Sequence, residues 1–228
     1  MPLGQFPVIG IMRRGDFYRA AAQCLVYIAV RNNGNFPVGK GKQQFFTNKG
    51  RIALVIASRT DAYALERARN EGIPTETVVR KEYAERLDFT LAVMDKLAKY
   101  EVDLVVFSGF MYILSPVFTD TYRNRAINVH PALIPSFCGD GYYGLKVHEE
   151  ALAYGVKLSG ATVHFANEIT DGGPIIMQKA VTVMENDTPK TLQERVMSEA
   201  EQVILPLAVE KFCADKLIVN DNKVTVLD

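Results

Sequence analysis

An α/β, Rossmann-like fold with a mostly parallel sheet flanked by helices is predicted by three features of the sequence. From residue 51 onward, short continuous apolar runs alternate with amphipathic stretches. Runs such as Leu104-Val105-Val106-Phe107 show no polar alternation, as expected of strands covered on both faces. One run, Ala126-Ile127-Asn128-Val129-His130, ends in a polar pair, and the C-terminal edge of an α/β sheet is where ligands usually bind.

Taken in order, the first fifty residues are the least regular. Phe6 to Met12 reads as an opening strand and Asp16 to Tyr27 as a first helix, leaving Arg31 to Gly50 as a long basic loop. The alternative makes Cys24 to Val30 the first strand, with Arg31 to Asn35 as its loop. Arg51 to Ala57 is a continuous apolar strand. Thr60 to Asn70 follows as an amphipathic helix, with Asp61 near its start and Gly72 beyond its end. Thr77-Val78-Val79 is a short strand, Glu82 to Lys99 a long helix, and Asp103 to Phe107 a buried strand. Ala126 to His130 is the next strand. Pro131 stops it, because proline has no N–H for a central ladder. Ala161 to Phe165 and Ile175 to Val181 are later strands. Thr188 to Ala214 is a C-terminal helix that Pro206 kinks or divides.

The chain has 228 residues and is read as a single domain over 1–228. Lys plus Arg and Asp plus Glu both number 26, so no global field draws it to nucleic acid or anionic lipid, and an anionic ligand needs a local site. No apolar run is long enough to span a bilayer and no signal-peptide pattern is present, which predicts a cytoplasmic protein. Cys24, Cys138 and Cys213 form no CxxC, so neither disulfides nor a zinc site is expected. Cys138 lies close to His130 in sequence and is a candidate nucleophile, but a packed thiol is the favoured reading.

Side-chain alternation puts Asn128 and His130 on one face of their strand. Asp171, in Asp171-Gly172-Gly173-Pro174, supplies a carboxylate downstream. An amide, an imidazole and a carboxylate suit acyl transfer. The first two donate to a developing oxyanion, a term worth roughly 3–4 kcal/mol per well-placed donor, and the third holds the imidazole charged or relays protons. His148 is expected on a surface helix facing solvent. His164 alternates with Thr162 on a strand and is expected in the core or behind the site. A His–Asp metal site is disfavoured for want of a third ligand.

The chain resembles the phosphoribosylglycinamide formyltransferases, a branch of the 10-formyltetrahydrofolate-dependent formyl transferases. The resemblance covers roughly residues 51–220. It rests on Ser108-Gly109-Phe110-Met111-Tyr112-Ile113-Leu114-Ser115-Pro116, on Asn128-Val129-His130-Pro131-Ala132-Leu133-Ile134-Pro135, and on Asp171-Gly172-Gly173-Pro174. It implies formyl transfer from 10-formyltetrahydrofolate, a cosubstrate, to the amine of glycinamide ribonucleotide in purine synthesis, without a metal and with small-molecule partners only, in a monomer or homodimer. Asn128 and His130 would face the formyl oxygen, with His130 as general acid and Asp171 raising its pKa. Met111, Tyr112, Ile113 and Leu114 would hold the reduced folate, together with Arg86, Asn128, Ile169 and Thr170. Glu201 reads as a helix-surface charge from the sequence and as a ribonucleotide contact from the resemblance. Ser136 to Gly144, glycine-rich and aromatic, would border the entrance.

Residues 1–50 depart from the family pattern. The family opens with a strand and a Ser-Gly-x-Gly-type loop that closes backbone N–H groups on the substrate phosphate. The nearest equivalent here is Met12-Arg13-Arg14-Gly15-Asp16, where Arg13, Arg14 and Gly15 are the candidates for holding phosphate and Asp16 opposes it. The departure leaves three other readings: a formyl transferase acting on another amine, a formyl-folate hydrolase, and a folate-binding protein without turnover.

Overall fold

The computed structural model describes residues 26–31, 50–109 and 112–228. In chain order the elements are β1 (Val26–Arg31), β2 (Arg51–Ala57), α1 (Tyr63–Asn70), β3 (Thr75–Thr77), α2 (Arg86–Lys99), β4 (Leu104–Ser108), α3 (Pro116–Thr121) and β5 (Ala126–His130). Then come α4 (Leu145–Tyr154), β6 (Leu158–Phe165), β7 (Ile175–Thr182), α5 (Pro189–Val196), a π-helical turn at Met197–Glu201, α6 (Gln202–Cys213), β8 (Leu217–Asn220) and β9 (Lys223–Val226). The strands form one sheet in the order β3-β2-β1-β4-β5-β6-β7-β9-β8. Pairing directions give β2, β3, β4, β5, β7 and β9 one sense and β1, β6 and β8 the other, so most of the described strands run the same way, with parallel neighbours at β2–β3, β4–β5 and β7–β9.

The apolar runs are buried on both faces for the reason the sequence suggested. All five side chains of β4 are buried, and they alternate between two cores. Leu104 and Val106 join Ile127 and Val129 of β5 against α1 and α6. Val105 and Phe107 join Phe89 and Val93 of α2 and Phe118 of α3 on the opposite face. Truncating a fully buried leucine such as Leu104 to alanine would cost roughly 2–5 kcal/mol. Ile127 and Val129 point into the first core, which leaves Asn128 and His130 on the other side of β5.

β1 corrects the preferred reading of the N-terminal region. Val26 and Tyr27 are strand, so a helix running to Tyr27 does not hold, and the alternative strand over Cys24 to Val30 is nearer. The proposed strand at Phe6 to Met12 and the rest of the first helix lie outside the described residues. β1 sits between β2 and β4 and runs antiparallel to both, with Val26 opposite Ser108 and Val30 opposite Leu104. It therefore starts at the edge where β4 and β5 end and finishes at the opposite edge.

Elsewhere the differences are in boundaries. The helix expected from Glu82 begins at Arg86, after a 3-10 turn over Arg80–Glu82. The short strand lies at Thr75–Thr77 rather than Thr77 to Val79. The C-terminal helix starts after Thr188, whose hydroxyl accepts from the Thr191 N–H at 3.2 Å while its own N–H donates to Thr191 Oγ1 at 2.9 Å. It divides at the π turn and not at Pro206. Pro206 is the fifth residue of α6, so the carbonyl it leaves without an intrahelical donor is that of Gln202, beside the π turn. The β8–β9 hairpin had no counterpart in the sequence reading.

Candidate active site

β5 delivers Asn128 and His130 to the end of the sheet. β6 lies antiparallel beside it, with His164 opposite Asn128 and Thr162 opposite His130. The loop from β6 to β7 carries Asp171, in a left-handed conformation (φ 55°). That loop is fixed by Gly173, where a Cβ would lie 1.8 Å from the Phe165 carbonyl oxygen, so only glycine allows the approach. Thr162 holds the turn after β5: its hydroxyl donates to the Ala132 carbonyl at 2.7 Å and accepts from the Ile134 N–H at 3.1 Å and from Gln178 Nε2 at 3.0 Å.

The Asp171 carboxylate gathers the three predicted residues into one cluster. Its Oδ2 accepts from the Gly139 N–H at 3.0 Å and lies 3.3 Å from His130 Nδ1. Its Oδ1 lies 3.4 Å from Asn128 Nδ2 and 3.5 Å from His164 Nε2. Asn128 Nδ2 is also 3.2 Å from His164 Nε2, and His164 Nδ1 is 2.9 Å from the Phe165 carbonyl. That carbonyl can only accept, so His164 carries a proton on Nδ1, while its Nε2 faces both the Asn128 amide and the Asp171 carboxylate. His164 thus orients Asn128 from behind, as expected. The second Asn128 N–H, at the long 3.4 Å contact, is the one a substrate oxygen can take.

His130 has an acceptor at each ring nitrogen: the Phe137 carbonyl 2.8 Å from Nε2 and Asp171 at Nδ1. Only the imidazolium satisfies both as a donor. Burial nevertheless holds His130 below the ordinary histidine pKa and outweighs the opposing pull of Asp171 and of the Phe137 carbonyl. Asp171 raises the pKa, as expected, but the net shift is downward. For Asp171, burial would raise its carboxyl, but hydrogen bonding from the His164 side, the His130 charge and the Gly139 N–H together hold it below the usual range.

Other predictions fall out differently. His148 is not solvent-facing: it is 0% exposed on the inner face of α4, with Val147 and Ala151, and neither ring nitrogen has a hydrogen-bond partner. Burial and then the neighbouring His130 push it down to about 4. The spacing of Val147, His148 and Ala151 carried that signal. Glu201 is likewise not a surface charge. It is 3% exposed at the end of the π turn, and burial pushes its carboxyl up to about 8. The Cys138 thiol donates to the Pro135 carbonyl at 3.3 Å, and burial and Asp171 raise its pKa, which favours the packed-thiol reading.

Arg86 is exposed in the first turn of α2. That helix is tied to the 112–115 loop by the Ser115 N–H donating to Thr90 Oγ1 at 2.9 Å and by the edge-on contact of Phe89 with Tyr112. Tyr112 and Ile113 are exposed and Leu114 is buried, while Ile169 is 62% exposed and Thr170 Oγ1 donates to Asp140 Oδ1 at 2.7 Å. Met111, Arg13, Arg14, Gly15 and Cys24 lie outside the described residues. Among the described residues no group of three or more His, Cys, Asp or Glu side chains is placed to hold a metal ion, and no helix is long and apolar enough to cross a membrane.

Comparison with known proteins points to one family. Residues 37–209 match the formyl transferase family model. The chain is 36% identical over 174 residues to phosphoribosylglycinamide formyltransferase of Escherichia coli, a match covering 76% of this chain and 79% of the relative. Glycinamide ribonucleotide transformylase 1 from Symbiobacterium toebii superposes with a TM-score of 0.73 at 39% identity, over 78% of this chain and 81% of that one. A formyltetrahydrofolate deformylase from Pseudomonas syringae pv. tomato superposes with a TM-score of 0.68 at 31% identity, over 78% of this chain and 57% of that one.

Proposed function

Because the chain belongs to the formyl transferase family, we propose that it transfers a formyl group from 10-formyltetrahydrofolate to the primary amine of glycinamide ribonucleotide, a step of purine biosynthesis. One observation carries the reading: Asn128, His130 and Asp171 meet in a single cluster at the end of β5. The amine nitrogen forms a bond to the formyl carbon, and the carbonyl electron pair moves onto oxygen. The Asn128 amide and the His130 ring donate hydrogen bonds to that oxyanion. Collapse breaks the bond from the formyl carbon to the folate nitrogen, which takes a proton from His130. The amine gives up the matching proton, and His130 is recharged with Asp171 holding its cationic form.

The reduced folate is held by the 111–114 loop, Arg86, Ile169 and Thr170. The exposed apolar side chains of Tyr112, Ile113 and Ile169 support this seat. Glu201 binds the ribonucleotide, and its burial beside the π turn supports a role that a solvated charge would not have. Arg13, Arg14 and Gly15 are proposed to meet its phosphate. The reaction needs no metal, and the protein is proposed to act in the cytoplasm as a single domain, monomeric or homodimeric.

The similarity to the deformylase favours one second reading, hydrolysis of 10-formyltetrahydrofolate to formate. Labelled formyl-folate incubated with and without glycinamide ribonucleotide separates the two. Transfer predicts label on the ribonucleotide and little consumption without it. Release of labelled formate at equal rates in both samples would establish hydrolysis instead.

A further inference from the structure

His130 is the last residue of β5, and the ladder that holds it is one-sided. β4 pairs with β5 only as far as Asn128, while β6 continues to Thr162, which stands opposite His130. Pro131 follows and has no N–H to extend the pairing. A strand end held on one side opens at low cost unless the chain beyond it is anchored. Here the anchor is a pair of side chains on the next two strands. Thr162 of β6 and Gln178 of β7 stand opposite each other, so His130, Thr162 and Gln178 form a row on one face of the sheet.

Thr162 is fully buried. It gives its one hydroxyl hydrogen to the Ala132 carbonyl at 2.7 Å and accepts from the Ile134 N–H at 3.1 Å. Gln178 Nε2 donates to Thr162 Oγ1 and to the Ile134 carbonyl, each at 3.0 Å. These bonds use the single donor and both acceptor sites of the hydroxyl and both hydrogens of the amide. Leu133 adds a packing contact over Gly160 of β6, where a Cβ would come within 2.8 Å of Leu133 Cδ2. Gln178 is exposed and Ile134 half-buried, so water can replace the amide's bonds in energy without reproducing their geometry. Loss of the amide therefore registers in the position of the turn more than in stability. We propose that Gln178, acting through Thr162 and the 132–134 turn, is a positioning residue for His130: it fixes the end of β5 so that the imidazole keeps its place beside Asp171, 3.3 Å away, and faces the reacting formyl group. The catalytic consequence rests on the formyl-transfer reading, while the coupling of Gln178 to the His130 ring is a property of the protein alone.

The test combines steady-state formyl transfer with NMR of the histidine rings in the full chain, which holds three histidines. Gln178→Met keeps the length of the side chain and removes both donors. It should move the His130 ring signals, although position 178 lies on β7 and His130 on β5. It should also lower kcat by roughly three- to tenfold, the effect of about one hydrogen bond, and leave the KM of both substrates within about twofold. Thr162→Val should do the same, and Thr162→Ser, which keeps the hydroxyl, should restore the ring signals and kcat. If Thr162→Val folds poorly, Gln178→Met decides alone. Unmoved His130 signals in Gln178→Met would overturn the proposal, as would moved signals with an unchanged kcat. A raised KM with kcat unchanged would mark a substrate contact and overturn it too. Failure of the unaltered protein to transfer formyl groups would count against the proposed function and leave the ring signals to decide the coupling.

Discussion

Replacing Asp171 by asparagine removes one charge from the centre of the cluster while keeping its size and an oxygen for the Gly139 N–H. The carboxylate lies 3.3 Å from His130 Nδ1, and the two side chains are only 8% and 5% exposed. A unit-charge pair at that separation is worth about 5 kcal/mol at an effective dielectric near 20 and about 1 kcal/mol in water. The site is nearly closed to solvent but keeps its hydrogen bonds in the variant, so a loss of about 3 kcal/mol in stabilising charged His130 is the working figure. That predicts a fall in kcat of about a hundredfold. Asp171 raises the His130 pKa, so its loss should also move the His130 limb of the pH–rate profile to lower pH. The assay is steady-state formyl transfer from pH 5 to 9, with thermal unfolding run in parallel. An Asp171→Asn protein that keeps its stability and works within about threefold of the unaltered protein would refute the charge-holding role.

Other outcomes follow from the same geometry. Glu201→Gln should raise stability at neutral pH relative to acid: folded Glu201 keeps a proton up to about pH 8 that the unfolded chain releases near 4.5, so stability falls across that window as pH rises, by roughly 3 kcal/mol at pH 7. Equal denaturation midpoints for the two proteins at pH 7 would contradict this. Gly173→Ala should cost roughly 1–3 kcal/mol or more and reduce turnover, because the loop carrying Asp171 must shift away from the Phe165 carbonyl; thermal unfolding and kcat report both. Asp187, held well below the usual carboxylate range by hydrogen bonding from Arg195, contributes stability that is present above its unfolded pKa and lost as pH falls through the folded value. Asp187→Asn should therefore flatten the acid limb of a stability–pH curve, and an unchanged limb would count against it.

Much of this arrangement was legible in the residues. β2 and β5 were read to the residue because an apolar run bounded by proline or turn residues has few other uses, and β4 was displaced by one position. The alternation within β5 placed Asn128 and His130 together, and Asp171 was legible as a downstream carboxylate whose contacts only the fold supplies. The direction of β1 was not legible, because an apolar run reads the same whether it pairs parallel or antiparallel. Glu201 and His148 were misjudged because a lone polar residue on a helix gives no sign of its own burial. That information lies in the neighbours at i+3 and i+4, such as Ala151 beside His148 and Ile204 beside Glu201. Two local signals were present but went unread: Ser115-Pro116 opening α3, and Asp221-Asn222 turning between β8 and β9.

The central claim is tested most directly by single-turnover formyl transfer from 10-formyltetrahydrofolate to glycinamide ribonucleotide, comparing the unaltered chain with His130→Ala. The account predicts formylated ribonucleotide from the unaltered chain and a loss of at least a hundredfold in the variant, with folate binding retained. Equal turnover by both proteins, or bound folate with no formylated product from either, would contradict it.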